Sequence, residues 1–121
     1  MRRVATLALA CLAAGLFAGC ASSPTQVREA NLRTEVASSN PPFTTINCVA
    51  RKSEEGRNGM VASIRETATR DRYEAAIRIL DNTVAVIEAA PAASGSRLTV
   101  WRNPMILDPA NASLMANVTS C

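Results

Sequence analysis

The sequence predicts a small α+β domain, with an antiparallel sheet of three to four strands between an N-terminal and a C-terminal helix. Apolar residues recur at helical spacing in residues 43–55 and again after residue 108. Residues 60–102 between them are rich in β-branched residues and alternate between polar and apolar positions. Cys48 and Cys121 lie in the two flanking segments, and we expect a disulfide to staple them together.

The first residues have the pattern of a secretory signal peptide. Arg2 and Arg3 give a positive start, and residues 4–17 form an uncharged, Ala- and Leu-rich run. This run is shorter than the roughly 20 residues that a membrane-spanning helix needs. We therefore expect residues 1–19 to be a signal peptide. An uncleaved helix is the alternative.

The end of this segment carries a motif for a covalent anchor. Phe17-Ala18-Gly19-Cys20 resembles the lipobox of bacterial lipoproteins, although Phe17 stands where Leu is usual. The resemblance implies that Cys20 is lipidated and becomes the first residue of the mature chain. Ala21 and Ser22 then lack the Asp associated with inner-membrane retention, which favours the outer membrane. Ordinary signal cleavage nearby is a further possibility.

Residues 20–42 have the composition of a tether that follows the lipidated Cys. Ser23 and Gln26 are spaced as in a capping box, and Pro24 stands at the first helical position. The apolar stripe that follows is too thin for a stable isolated helix. We expect a loosely helical stalk ahead of a domain that spans residues 43–121.

The domain begins with a segment that fits a helix better than a strand. Phe43, Ile46 and Val49 recur at helical spacing, and Gly56 is a natural stop. A strand would place Ile46 and Cys48 on one face. The helix is favoured because the residues just before Gly56 are strongly helix-compatible.

The middle of the domain predicts strands. Residues 60–66 alternate as one strand, and residues 67–72 form a polar turn. Residues 73–90 fit a hairpin that turns at Asp81-Asn82, because the run of β-branched residues after this pair disfavours a helix. A single helix over residues 73–90 remains the alternative.

A second hairpin and a helix complete the domain. In the strand over residues 97–102, Leu98 and Val100 are expected to face the core and Trp101 the opposite side. Asp108-Pro109 predicts a helix start, with Asp108 as the cap. One face of that helix carries Asn111, Leu114, Val118 and Cys121.

Composition excludes several kinds of chemistry. The chain has no His, which removes the usual catalytic triads and the commonest metal ligand. Its net charge is +3, and this falls towards neutrality once Arg2 and Arg3 are removed with the signal. The basic residues are scattered, so we expect no nucleic-acid partner. We also expect no metal, no cofactor and no enzymatic activity.

Two features could mediate binding to a protein. Trp101 and Arg102 are residue types enriched at binding hot spots. Ser94 and Arg97 lie in or beside a predicted hairpin loop. The segment Ala93-Ser94-Gly95 with Arg97 is similar to the Ser-Gly loop of membrane-bound lysozyme inhibitors, although Leu98 replaces the aromatic residue of that family.

The whole chain resembles the small lipoproteins of Gram-negative bacteria in plan. The resemblance rests on the lipobox and on an α+β unit with cysteines near both ends. It implies attachment to the membrane through the N-terminal lipid and a role as an assembly partner of other envelope proteins. The lysozyme-inhibitor resemblance implies the alternative function.

Overall fold

The computed structural model describes residues 22–30 and 32–121, so the predictions for residues 1–19 and for Cys20 lie outside the described residues. Among the helices of this described part, none is long and apolar enough to cross a membrane. The elements in chain order are α1 (Pro24–Glu29), β1 (Arg33–Ser38), α2 (Pro42–Glu55), β2 (Met60–Glu66), β3 (Tyr73–Ile79), β4 (Asn82–Ala92), β5 (Gly95–Arg102) and α3 (Ala110–Thr119).

The strands form one antiparallel sheet in the order β1-β5-β4-β3-β2. The α+β class is confirmed, but the predicted count of three to four strands is wrong because β1 adds a fifth. Residues 33–38, expected in a loosely helical stalk, instead pair with β5 from Arg33 opposite Trp101 to Ser38 opposite Ser96. Val36 is the only large apolar residue of β1, so local sequence gave little indication of this long-range pairing.

The main core lies on the face of the sheet covered by α2 and α3. Ile46 and Val49 of α2 and Leu114 and Val118 of α3 are almost fully buried in this core. These residues confirm the predicted apolar stripes of both helices except at Phe43, which is 55% exposed. Buried residues from the strands complete the same cluster, notably Ile77, Ile87, Leu98 and Val100.

The predicted disulfide is present between Cys48 and Cys121. It joins the middle of α2 to the residues after α3, across a sequence separation of 73 and with the Cα atoms 5.9 Å apart. We expected the bond to tie the two helices across the sheet. They lie side by side on one face instead, because their apolar stripes share a single core.

The opposite face is partly covered by α1, which packs over β4 and β5. The helix begins with the predicted capping box, in which Ser23 and Gln26 bond reciprocally. Pro24 is its first residue. Val27 is 2% exposed and fixes the helix to the sheet. The helix was expected in a stalk, and burial of this side chain is what places it on the domain instead.

Both hairpins are confirmed, with small shifts in their turns. Between β3 and β4 the turn residues are Leu80 and Asp81, one position earlier than predicted, since Ile79 pairs with Asn82. Between β4 and β5, only Ala93 and Ser94 lie outside the strands.

The predicted start of the last helix requires a correction. The first residue of α3 is Ala110, with Pro109 as the N-cap and no side-chain hydrogen bond at the cap. Asp108 is therefore not the cap. The segment from residue 104 to residue 109 forms a loop before the helix, and Ile106 of this loop packs against the core.

Candidate functional site on the polar face of the sheet

The face of the sheet under and around α1 carries a row of polar side chains, which we call the polar face. Residues directly opposite one another in neighbouring strands point to the same side of a sheet. The strand register therefore places one residue from each strand in a single row. In the order of the strands across the sheet, these are Glu35, Thr99, Glu88, Glu74 and Arg65.

Glu74 and Glu88 stand directly opposite each other in the middle of this row. Two like charges at such positions destabilise a sheet unless cations compensate them. The guanidinium of Arg28, from α1, forms ion pairs with both carboxylates. Arg65 donates from Nε to Glu74 Oε1 at 3.1 Å, and Arg72 donates from Nη1 to Glu88 Oε1 at 3.1 Å.

The side chain of Glu74 is only 5% exposed and lies among these arginines. Its hydrogen bond to Arg65, and then its charge, raise the pKa of that guanidinium above the ordinary value. Arg28 and Arg65 together satisfy the carboxylate of Glu74, which explains how a charged side chain is accommodated at this depth.

Trp101 lies on the polar face, opposite in direction to the buried Leu98 and Val100, as predicted. The ring is half-buried, and the guanidinium carbon of Arg28 lies 4.3 Å from its centroid. This distance is that of a cation–π contact. Arg28 thus joins the carboxylates and the aromatic ring into one cluster.

Arg97 is exposed on the same face. It lines a shallow depression of about 360 Å³ together with Glu35, Arg72, Glu88 and residues of the β4–β5 hairpin. Ser94 is exposed in the hairpin turn but is not part of this lining. The structure therefore brings Arg97 and Trp101 to one face and leaves Ser94 at the end of the sheet.

Arg102 lies on the other side of β5, away from Trp101. Its Nη1 donates to Asn111 Oδ1 of α3 at 3.2 Å, and its Nη2 donates to Thr34 Oγ1 of β1 at 3.3 Å. These bonds hold a helix and an edge strand to β5. Adjacent residues of a strand point to opposite faces, so the structure does not bring the two candidate binding residues Arg102 and Trp101 onto one surface.

Sequence reasoning missed Arg28, Glu74 and Glu88, which complete the cluster. Arg28 lay in the expected stalk, and each carboxylate is a single acidic residue inside an apolar strand. An acidic residue inside an apolar strand could have indicated a buried ion pair. Its arginine partners are distant in sequence, so the sequence did not identify them. Within the described residues, no group of three or more His, Cys, Asp or Glu side chains is arranged to hold a metal ion.

Fold and site together define a disulfide-bonded α+β domain with one apolar, helix-covered face and one polar, arginine-rich face. Comparisons with protein-family models, with curated proteins and with solved structures gave no match. The inference about function therefore depends on the residues themselves.

Proposed function

We propose that this protein is a lipid-anchored envelope module that works by binding another protein through its polar face, without catalysis. The anchor is Cys20, and the location is the periplasmic side of the outer membrane. The observation that carries the binding role is the Arg28–Trp101 contact, on a sheet face that α1 covers only in part. Trp and Arg supply a large share of the energy at protein interfaces.

The charges of this face favour an acidic partner surface. Five arginines on or above the polar face surround three glutamates: Arg28, Arg33, Arg65, Arg72 and Arg97 against Glu35, Glu74 and Glu88. Arg97 forms no ion pair with any residue that the structure describes. An exposed guanidinium of this kind is available for a bidentate bond to a carboxylate of the partner.

A structural role for the carboxylates supports a non-catalytic function. Glu74 is bound by Arg28 and Arg65, and Glu88 by Arg28 and Arg72. A general base needs a lone pair directed at a substrate. Here an arginine lies against each oxygen of Glu74 and of Glu88, and the chain has no His to take the role.

Photo-crosslinking in intact cells tests the binding role. A photoreactive residue in place of Ala37 should yield a discrete protein adduct, because Ala37 is exposed and lies directly opposite Arg97 on the polar face, with Arg97 itself unchanged. The matched control replaces Arg51, which is exposed on α2 at the opposite face of the domain. Equal adducts from both positions, or none from position 37, would contradict the proposal.

A charge reversal separates binding from folding. Arg97→Glu should abolish capture of the partner purified from the adduct and leave the thermal midpoint unchanged, since Arg97 is exposed. Unchanged capture by the Arg97→Glu variant would show that the polar face is not the binding surface. Lysozyme inhibition that depends on both Ser94 and Arg97 would replace the proposal with the inhibitor alternative.

A further inference from the structure

One end of the sheet exposes a group of large apolar side chains, which we call the apolar end. Leu80 in the β3–β4 turn is 87% exposed, and Met105 and Leu107 in the loop before α3 are 80% and 78% exposed. The three side chains line one cavity of about 390 Å³. Clustered apolar exposure of this kind marks an interaction surface, unlike single scattered residues.

Leu80 is also in an unfavourable backbone conformation. Its φ is +55°, in the left-handed region, where Gly, Asn and Asp are the usual residues of two-residue hairpin turns. A bulky apolar side chain at this position is both strained and exposed. Local departures of this kind are concentrated at functional sites.

The N-terminal chain is fixed at this same end. The backbone N–H of Ser22 donates to Asn82 Oδ1 at 3.2 Å, and its carbonyl accepts from the N–H of Thr83 at 2.9 Å. The Ser22 hydroxyl accepts from Asn103 Nδ2 at 3.0 Å. Ser22 also lines the cavity that Leu80, Met105 and Leu107 share.

This attachment limits the distance between the domain and its anchor. Cys20 is two residues before Ser22, and two residues of extended chain span at most about 7 Å. A lipid on Cys20 would therefore enter the membrane directly beside the apolar end. This geometry leaves no room for a stalk between the anchor and the domain.

We infer that the apolar end rests on the phospholipid bilayer, with Leu80, Met105 and Leu107 inserted at the boundary between headgroups and acyl chains. The inference rests on the proposed lipidation of Cys20. The residues lining the cavity include no charged side chain, and the charged residues next to Leu80 and Leu107 in the sequence, Asp81 and Asp108, are acidic and exposed. Anionic lipid headgroups therefore do not attract this end. Contact with lipid therefore depends on apolar burial, and high salt should not weaken it.

The fold provides an internal control for orientation. The β4–β5 turn lies at the opposite end of β4, which runs from Asn82 to Ala92. At about 3.3 Å per residue, the two turns are roughly 33 Å apart. Ala93 in the distal turn is exposed and should face the periplasm.

Fluorescence quenching by lipid tests the inference. The full chain is produced in a Gram-negative host, purified from membranes and reconstituted in phosphatidylethanolamine–phosphatidylglycerol vesicles with brominated acyl chains. Leu80→Trp and Ala93→Trp are compared in a Trp101→Phe background, so that each protein has a single Trp. Leu80→Trp should lose more than half of its emission, and Ala93→Trp should keep nearly all of it.

Every other outcome overturns the inference. If the Leu80→Trp variant floats with the vesicles but its fluorescence is not quenched, the apolar end lies away from the lipid. A blue shift without quenching indicates burial against a protein or a second copy. Protein that does not float with the vesicles also contradicts the inference, and its intact mass then shows whether the anchor at Cys20 is itself absent. Equal thermal midpoints of the two variants serve as the folding control.

Discussion

Gly95 is the position where the backbone conformation depends most directly on a single residue. Its φ is +134°, and a Cβ at this position would lie 2.2 Å from the carbonyl oxygen of Ser38. Only Gly allows the end of β1 to approach the β4–β5 hairpin this closely. The Gly in the segment Ala93-Ser94-Gly95, which resembles the loop of lysozyme inhibitors, is therefore explained by packing within this domain.

We expect Gly95→Ala to lower the free energy of unfolding by about 1–3 kcal/mol, because the contact with Ser38 forces the backbone to shift. Gly56→Ala is the matched control. Gly56 has a negative φ, and its nearest neighbour for a Cβ is at 3.5 Å, an ordinary contact. Urea unfolding of both variants measures the difference. Equal stability of the two would show that the close approach of β1 does not constrain the fold.

At the scale of elements, α1 is held to the sheet by one arginine and one valine. Arg28 contacts Glu74, Glu88 and Trp101, and Val27 is buried beside it. A six-residue helix has little stability of its own, so these tertiary contacts are what maintain it.

Arg28→Ala should destabilise the protein by about 1–3 kcal/mol, since it leaves two opposed carboxylates with less compensation. Arg33→Ala is the control, because its ion pair with Glu35 is solvent-exposed and contributes roughly 0–1 kcal/mol. Hydrogen exchange should also show faster exchange of the α1 amides in Arg28→Ala alone. Equal effects of the two substitutions would mean that the cluster does not hold α1.

The elements differ in how far their sequences predict them. The capping box at Ser23 and Gln26 is a local signal and is confirmed, as is the apolar stripe of α2 at Ile46 and Val49. The β-branched run after Asn82 correctly favoured a hairpin over a helix. By contrast, β1 depends on pairing with a strand far along the chain, and its own strand signal is short: only Thr34 and Val36 alternate with charged residues.

The candidate site was only partly predictable for the same reason. The alternation of Leu98, Val100 and Trp101 correctly predicted the side of the sheet on which the Trp101 ring lies. Arg28 and Glu74 are 46 residues apart and meet only because α1 folds back over the sheet. No spacing rule relates residues in such an arrangement.

At the scale of the whole molecule, the disulfide joins α2 to the C-terminal residue that follows α3. Cys121→Ser should lower the free energy of unfolding by about 2–5 kcal/mol, because the bond closes a loop of 73 positions in the unfolded chain. Non-reducing peptide mapping shows the bond directly. Two free thiols that can be alkylated in the folded protein would contradict it.

The proposed anchor at Cys20 also sets an orientation of the whole molecule relative to the membrane. The chain enters at the apolar end, beside Ser22, and the Ser94 turn lies at the far end of the sheet. The polar face runs between these two ends. In the proposed arrangement, this face stands upright on the membrane and is accessible to a partner from the side.

The central claim is that this domain is anchored to a membrane through Cys20, and intact-mass spectrometry of the mature protein tests it most directly. The account predicts a chain that begins at Cys20, carries acyl chains and fractionates with the outer membrane. Cys20→Ala should lose both the added mass and the membrane fractionation. A wild-type protein with an unmodified N-terminus, released as a soluble periplasmic product, would contradict the claim.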